Sequence, residues 1–411
     1  MATRPAAFGA AITGIGLLTP AGIGLDANWK QLSSGVTCAA TDEALRGAPV
    51  DFSCRVPGFD ADGLLGGFEA RQLARFVQLA VVAARQALAD AGLDPARWDG
   101  GRAGVVLGNS LGGLSAVEAQ TEVLRTSGAR RVSPLTIPMA MVNMAAGYVA
   151  IDVGATGPSL VTATACASGA TAIGLGRELL RSGACDVVLA GGTESALTPL
   201  ALAGLGRMGA LSGRGGEPGA ASRPFDAARD GFVAAEGAAV LVLERAEDAA
   251  ARGGRVHAVI RGYGAATDAH HATAPDPQGR GIERALRTAL ADAGLGASAV
   301  DHVNAHGTST PMGDVIEAQV LRRVLGARPA VTSTKGVTGH ALAASGAMEA
   351  AFTALALAHR SVPPTANLTE LDPRVELDVV AGAPRSAPLD VGVSTSLGFG
   401  GHNAALVLTA G

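Results

Sequence analysis

A chain of 411 residues, 48% hydrophobic and only 17% charged, holds enough apolar surface for a large core and lies far from the composition of a disordered chain. A net charge of −4 and 3% aromatic residues provide neither a basic footprint nor stacking rings for nucleic acid. No run of about 18 uninterrupted apolar residues suggests a membrane span, and Met1-Ala-Thr-Arg-Pro leads into Ala10-Ala-Ile-Thr-Gly-Ile-Gly without the order of a signal peptide, so a cytoplasmic protein is expected.

In chain order, apolar runs predict strands at 11–17, 103–107, 186–190, 238–243, 256–263 and 404–408. Helical periodicity falls at 76–91, 168–181, 282–293, 314–325 and 345–359. Glycine-rich stretches at 206–222 and 264–280 read as loops. Alternation of this kind predicts layered α/β architecture with buried sheets. The chain also repeats itself. Ala-Leu-Ala-Asp-Ala-Gly-Leu occurs at 87–93 and at 289–295, each copy followed about ten residues later by an apolar strand, Val105-Val-Leu-Gly-Asn and Val303-Asn-Ala-His-Gly. Ala167-Ser-Gly-Ala returns as Ala344-Ser-Gly-Ala, and Ala238-Ala-Val-Leu-Val-Leu is echoed by Ala404-Ala-Leu-Val-Leu. Four echoes in one order imply a duplicated α/β unit, with halves at 1–254 and 255–411 and no Pro- or Ser-rich linker between them.

Cys38, Cys54, Cys166 and Cys185 have no metal-ligand spacing and are too few for a disulfide scaffold. Three read as small buried hydrophobes. Cys166 differs, because a strand-like run ends on it and a small-residue helix begins just beyond. The positive end of a helix macrodipole there favours a thiolate. His306 follows a strand in the second repeat, and His340 precedes a small-residue helix. Both mirror the region of Cys166, so pseudo-twofold packing is expected to bring the three together. Lys335 is one of only two lysines among 32 basic residues, the other being Lys30. A lysine in a chain that otherwise writes its cations as arginine invites a chemical reason.

These segments identify a family resemblance that runs nearly end to end. Thr13-Gly-Ile-Gly-Leu-Leu-Thr-Pro, Asn143-Met-Ala-Ala-Gly, Gly157-Pro-Ser, Thr164-Ala-Cys-Ala-Ser-Gly, Arg223-Pro-Phe-Asp, Arg229-Asp-Gly-Phe, Asn304-Ala-His-Gly-Thr-Ser-Thr, Ser333-Thr-Lys-Gly-Val-Thr-Gly-His and Gly398-Phe-Gly-Gly resemble the elongating β-ketoacyl-acyl carrier protein synthases of the thiolase superfamily. The resemblance implies a thiolase fold of two duplicated α/β halves in an α-β-α-β-α arrangement. It implies that Cys166 accepts an acyl chain from an acyl carrier protein, and that His306 and His340 bind a malonyl thioester, assist loss of carbon dioxide and stabilise the enolate. Backbone N–H groups of Cys166 and Phe399 would form a second oxyanion hole, with Phe399 gating the acyl pocket. Lys335 would pair with Glu317 and orient the histidines. Leu111, Leu205, Thr308, Thr310 and Gly400 are implied substrate contacts.

The implied partners are an acidic acyl carrier protein, docked on Arg130, Arg131, Arg207 and Arg214, and a second subunit on the apolar segment 137–146. That subunit would be another copy or a chain-length subunit of the same fold. No metal or organic cofactor is expected, since the phosphopantetheine arrives on the carrier protein. Leu397, Leu205, Leu111 and Ala343 depart from the commonest pattern, which puts chain length in question. The Ala234-Ala-Glu-Gly-Ala-Ala-Val-Leu-Val-Leu-Glu segment is similar to type II polyketide ketosynthase subunits, whereas Thr-Ala-Cys-Ala-Ser-Gly points to fatty-acid or reducing polyketide enzymes. A reducing type II polyketide or polyene pathway is preferred over fatty-acid elongation. A non-catalytic chain-length subunit would lack Cys166, a thiolase would need a reactive cysteine beyond Cys185, and an initiating synthase normally carries Asn where His340 stands.

Overall fold

The computed structural model describes residues 8–411, so the N-terminal Met1-Ala-Thr-Arg-Pro lies outside the described residues. Ten strands make up most of a twelve-stranded sheet: β1 (Ala10–Thr19), β2 (Ala103–Gly108), β3 (Ser159–Thr162), β4 (Val187–Glu194), β5 (Gly237–Arg245), β6 (Ala258–Thr267), β7 (His302–Asn304), β8 (Ala330–Thr332), β9 (Val391–Gly398) and β10 (His402–Ala410). Their spatial order is β8-β7-β9-β10-β6-β1-β5-β4-β2-β3. Reading outward from the centre, β1-β5-β4-β2-β3 and β6-β10-β9-β7-β8 are the same path: two antiparallel steps, then two parallel ones. The sets meet where β1 runs antiparallel to β6, Ala10 facing Ile260 and Ile12 facing Ala258.

Six helices repeat in parallel: α1 (Arg75–Ala91), α2 (Met144–Val153) and α3 (Ser168–Arg181), then α4 (Arg280–Ala293), α5 (Gly313–Leu325) and α6 (Ser345–His359). Helices α3 and α6 share the middle core with inward residues of both strand sets. Helices α1 and α2 cover the outer face of the first set, and α4 and α5 the outer face of the second. The strand echoes are apolar throughout because both faces are covered. Along β5, Ala239, Leu241 and Leu243 enter the middle core while Ala238, Val240 and Val242 enter the outer one. Along β10, Ala404, Leu406 and Leu408 point inward and Ala405 and Val407 outward, the period of two that a pleated strand imposes.

The heptapeptide echo has a physical cause. In the first copy the Asp90 carboxylate accepts the Ile15 N–H of β1 at 2.9 Å, and in the second Asp292 accepts the Tyr263 N–H of β6 at 3.0 Å. Helix and strand approach so closely that a Cβ on Gly16 would lie 1.9 Å from the Ala83 carbonyl oxygen, and one on Gly264 2.1 Å from that of Ala285. Gly264 therefore belongs to β6, and the loop expected from residue 264 begins beyond Thr267. Residues 206 and 207, also expected in a loop, close a helix, Pro199–Arg207. At the centre, a Cβ on Gly169 would meet the Ala347 nitrogen at 2.7 Å and one on Gly346 the Ala170 nitrogen at 2.8 Å. The repeated Ala-Ser-Gly-Ala segments thus cross each other at the pseudo-twofold, backbone against backbone.

One stretch, Leu342–His359, is long and apolar enough to cross a membrane, and 89% of it is buried inside the molecule as the middle-layer helix.

Candidate active site

Strand β3 delivers the chain to Ala165, held at a left-handed φ of 49°, and a single 3-10 turn, Ala165–Ala167, precedes α3. The Ser168 hydroxyl fixes this turn, accepting the Thr164 N–H at 2.9 Å and donating to the Ala165 carbonyl at 2.6 Å. Cys166 is thereby presented, buried, at the head of α3. In the second half β8 leads to the short helix Lys335–Thr338, Gly339 turns at φ 66°, and His340 follows before α6. His306 comes two residues after β7. Its backbone N–H and that of Gly307 both donate to the Glu317 carboxylate, at 2.8 and 2.7 Å, and the Thr395 hydroxyl adds a third bond at 2.6 Å.

The expected meeting of the two halves occurs. His340 Nε2 lies 3.1 Å from Cys166 Sγ, and one side-chain donor atom from each of Cys166, His306 and His340 falls within 4.8 Å of the other two. The imidazole rings of His306 and His340 stand edge to face, centroids 5.3 Å apart, and Phe232 packs edge to face on His340 at 5.0 Å. Donors of these types also suit zinc; here Nδ1 of His340 is bonded to the Ser345 hydroxyl at 2.9 Å, leaving Nε2 for the thiol.

Burial sets the protonation states. It pushes both imidazoles well below their usual range, reinforced by the charge of Lys335, so both rings are neutral. It pushes the Cys166 thiol up to about 12, against the downward pull of Lys335 and of the Phe399 N–H bonded to it. The head of α3 acts in the same downward direction, favouring the thiolate. Desolvation of a buried charge outweighs it.

Lys335 does not pair with Glu317. Its Nζ bonds Glu349 on α6, and the two side chains are 1% and 3% exposed. Glu317 is instead taken by the His306 loop, its carboxylate accepting two backbone N–H groups and the Thr395 hydroxyl. Burial raises Glu349 to about 7 and Lys335 opposes that shift. Glu349 carried a readable signal, since it is the only carboxylate in the mostly apolar run 342–359, and a lone buried charge needs a partner. Asp268 and Asn403 were also missed. Asn403 Nδ2 donates to Asp268 Oδ1 at 2.8 Å, and the Asp268 N–H donates to the Gly401 carbonyl at 2.9 Å, which braces the turn that carries Phe399.

A cavity of about 440 Å³ opens onto Cys166 and both histidines, lined also by Thr308, Thr310, Leu397 and Phe399. Gly400 adjoins it, with a left-handed φ of 82° and its N–H on the Ala272 carbonyl. Leu111 and Leu205 do not line it. Leu205 packs in the apolar cluster around Cys166 with Leu197 and Leu202, and Leu111 is 43% exposed beyond β2. Arg130 and Arg131 are exposed, and so is Arg207, next to the cavity-lining Met208. Arg214 is already engaged, donating to the Ala228 carbonyl and facing Asp230, which leaves it little to offer a partner.

Comparison with known proteins matches residues 9–249 to the N-terminal domain of β-ketoacyl synthase and residues 257–369 to its C-terminal domain. The chain is 44% identical over 405 residues to 3-oxoacyl-[acyl-carrier-protein] synthase 2 of Synechocystis sp., with 96% of each chain covered. It superimposes on the ishigamide ketosynthase/chain length factor with a TM-score of 0.92 at 32% identity, covering 99% of this chain and 100% of that one. A chain from a type II PKS acyl-carrier protein in complex with its ketosynthase bound to the hexaketide gives 0.90 at 32% identity, covering 98% and 99%.

Proposed function

Because this chain belongs to the β-ketoacyl synthase family, and is an acyltransferase that forms carbon–carbon bonds, we propose that it condenses a Cys166-bound acyl chain with a malonyl group carried on an acyl carrier protein. The observation that carries this reading is the convergence of one thiol and two neutral imidazoles on a single cavity.

Cys166 sulfur attacks the acyl thioester carbonyl; the new C–S bond replaces the bond to the carrier, and the thiol proton leaves on the departing pantetheine thiol. The carbonyl oxygen develops negative charge against the N–H groups of Cys166 and Phe399. Malonyl thioester then occupies the cavity with its thioester oxygen toward Nε2 of His306 and His340. Its C–C bond to the carboxylate breaks, carbon dioxide departs, and the electron pair becomes an enolate held by two imidazole N–H donors. The enolate carbon attacks the Cys166 thioester carbonyl, the C–C bond forms as the C–S bond breaks, and the released Cys166 thiolate takes up one proton from water. Neutral histidines suit this role, since each keeps one donor without a buried charge. Holding both acyl units at one cavity makes the attack effectively intramolecular. Lys335, paired with Glu349, supports the thiolate through its charge.

The carrier protein is the partner that brings the phosphopantetheine, with Arg130, Arg131 and Arg207 as its docking cations. A second subunit covers the apolar face formed by the helix Leu114–Ser127, none of whose residues is buried, by Ile137 and Met141, and by Leu160 on edge strand β3. The protein is read as working in the cytoplasm. For the pathway, the reducing polyketide or polyene reading rests on the segment 234–244 and on Leu205 and Leu397 standing where aromatic residues are common. Fatty-acid elongation is the second reading, supported by the 44% identity to the Synechocystis synthase. Condensation with carboxyl-labelled malonyl-carrier protein tests the reaction: one labelled carbon dioxide is expected per β-ketoacyl-carrier product, and label retained in the product contradicts it. Run over saturated and conjugated acyl thioesters, the assay is expected to favour conjugated chains; a preference for saturated ones selects the fatty-acid reading.

A further inference from the structure

The repeated Ala-Ser-Gly-Ala segment uses its serine differently in its two copies. In the first, Ser168 accepts the Thr164 N–H and spends its proton on the Ala165 carbonyl, so it shapes backbone only. In the second, the turn is the same, with Leu342 at φ 46° where the first copy has Ala165 at 49°, and the Ser345 hydroxyl again accepts an upstream N–H, from Ala341 at 3.0 Å. Its remaining contact is Nδ1 of His340 at 2.9 Å. A hydroxyl carries one proton. Were Nδ1 protonated, the hydroxyl would accept twice and its own proton would be stranded in a site where both residues are 1% exposed, which buried polar groups avoid. The proton therefore lies between Ser345 and His340, Nδ1 is the acceptor, and the ring proton is held on Nε2, facing Cys166 and the cavity. His306 has no such partner: among the described residues its Nδ1 is buried without a hydrogen bond.

We propose that Ser345 is the positioning residue that locks His340 as an Nε2–H donor toward the reacting thioester, so that of the paired imidazoles only His340 has its tautomer fixed by a side chain. The role rests on the condensing reaction above, and its larger effect falls on the enolate step, where the Nε2–H must donate to the thioester oxygen, although the same nitrogen also faces the Cys166 thiol. The test compares the native enzyme with Ser345→Ala and Ser345→Thr in two readouts. Ring-¹⁵N histidine NMR, with His340 assigned by its loss in His340→Ala, is expected to show only the Nε2–H form in the native and Thr enzymes and a mixture of tautomers in the Ala enzyme. The ratio of malonyl decarboxylation to Cys166 acylation is expected to fall about fivefold in Ser345→Ala, the worth of one net hydrogen bond, and to return with Thr. A native Nδ1–H tautomer, an unchanged tautomer in Ser345→Ala, or an unchanged ratio overturns the proposal. A native enzyme that neither acylates nor decarboxylates defeats the condensing reaction instead, while the NMR arm still decides the role of Ser345.

Discussion

Replacing His306 with alanine is expected to lower condensation by about 10²–10³-fold, the loss that follows removal of one donor to a developing oxyanion. The same change is expected to slow acylation of Cys166 far less, since His306 reaches the thiol only through its ring contact with His340. The asymmetry follows from geometry: His340 Nε2 bonds the thiol, whereas no hydrogen bond joins His306 to it. Measuring carbon dioxide release beside acyl-enzyme formation separates the two. Equal losses in both would mean that His306 supports the nucleophile rather than the enolate.

Lys335→Met is expected to be strongly destabilising. It leaves Glu349 buried, with one oxygen already lacking a partner, and breaking a buried pair by removing one member costs about 3–5 kcal/mol. Lys335 is also the strongest of the forces that pull the Cys166 thiol downward, so acylation slows as well. The double variant Lys335→Met, Glu349→Gln is expected to recover most of the lost stability, read by denaturant unfolding, but not the acylation rate. Recovery of both would reduce the pair to packing; recovery of neither would place the damage elsewhere.

Much of this was legible in the sequence, and the reasons are local. The helices expected at 168–181 and 345–359 are α3 and α6 to the residue, because both are small-residue helices with abrupt starts. The duplication was visible because a buried contact between two backbones tolerates almost nothing but glycine and alanine, so both copies retain the same letters. Cys166, His306 and His340 were found because turn residues surround each of them. What escaped was long-range. Strand β9 is rich in Gly, Ser and Thr, and its buried Ser394, Thr395 and Ser396 hide the apolar alternation that marks a strand. The Lys335 partner was assigned to the glutamate of a neighbouring motif, whereas the fold takes that carboxylate for the His306 loop and supplies another from α6. Ser345 was read only as part of a repeat, since nothing in the spacing says that its hydroxyl meets an imidazole five residues back.

The central claim is that Cys166 carries the acyl chain, and peptide mass spectrometry tests it most directly. After incubation of the protein with a short acyl-carrier thioester, in parallel with Cys166→Ala, the account predicts one added acyl mass on the peptide containing Cys166 and none in the variant. Acylation at Cys38, Cys54 or Cys185, or an equal signal from the Ala variant, would contradict it.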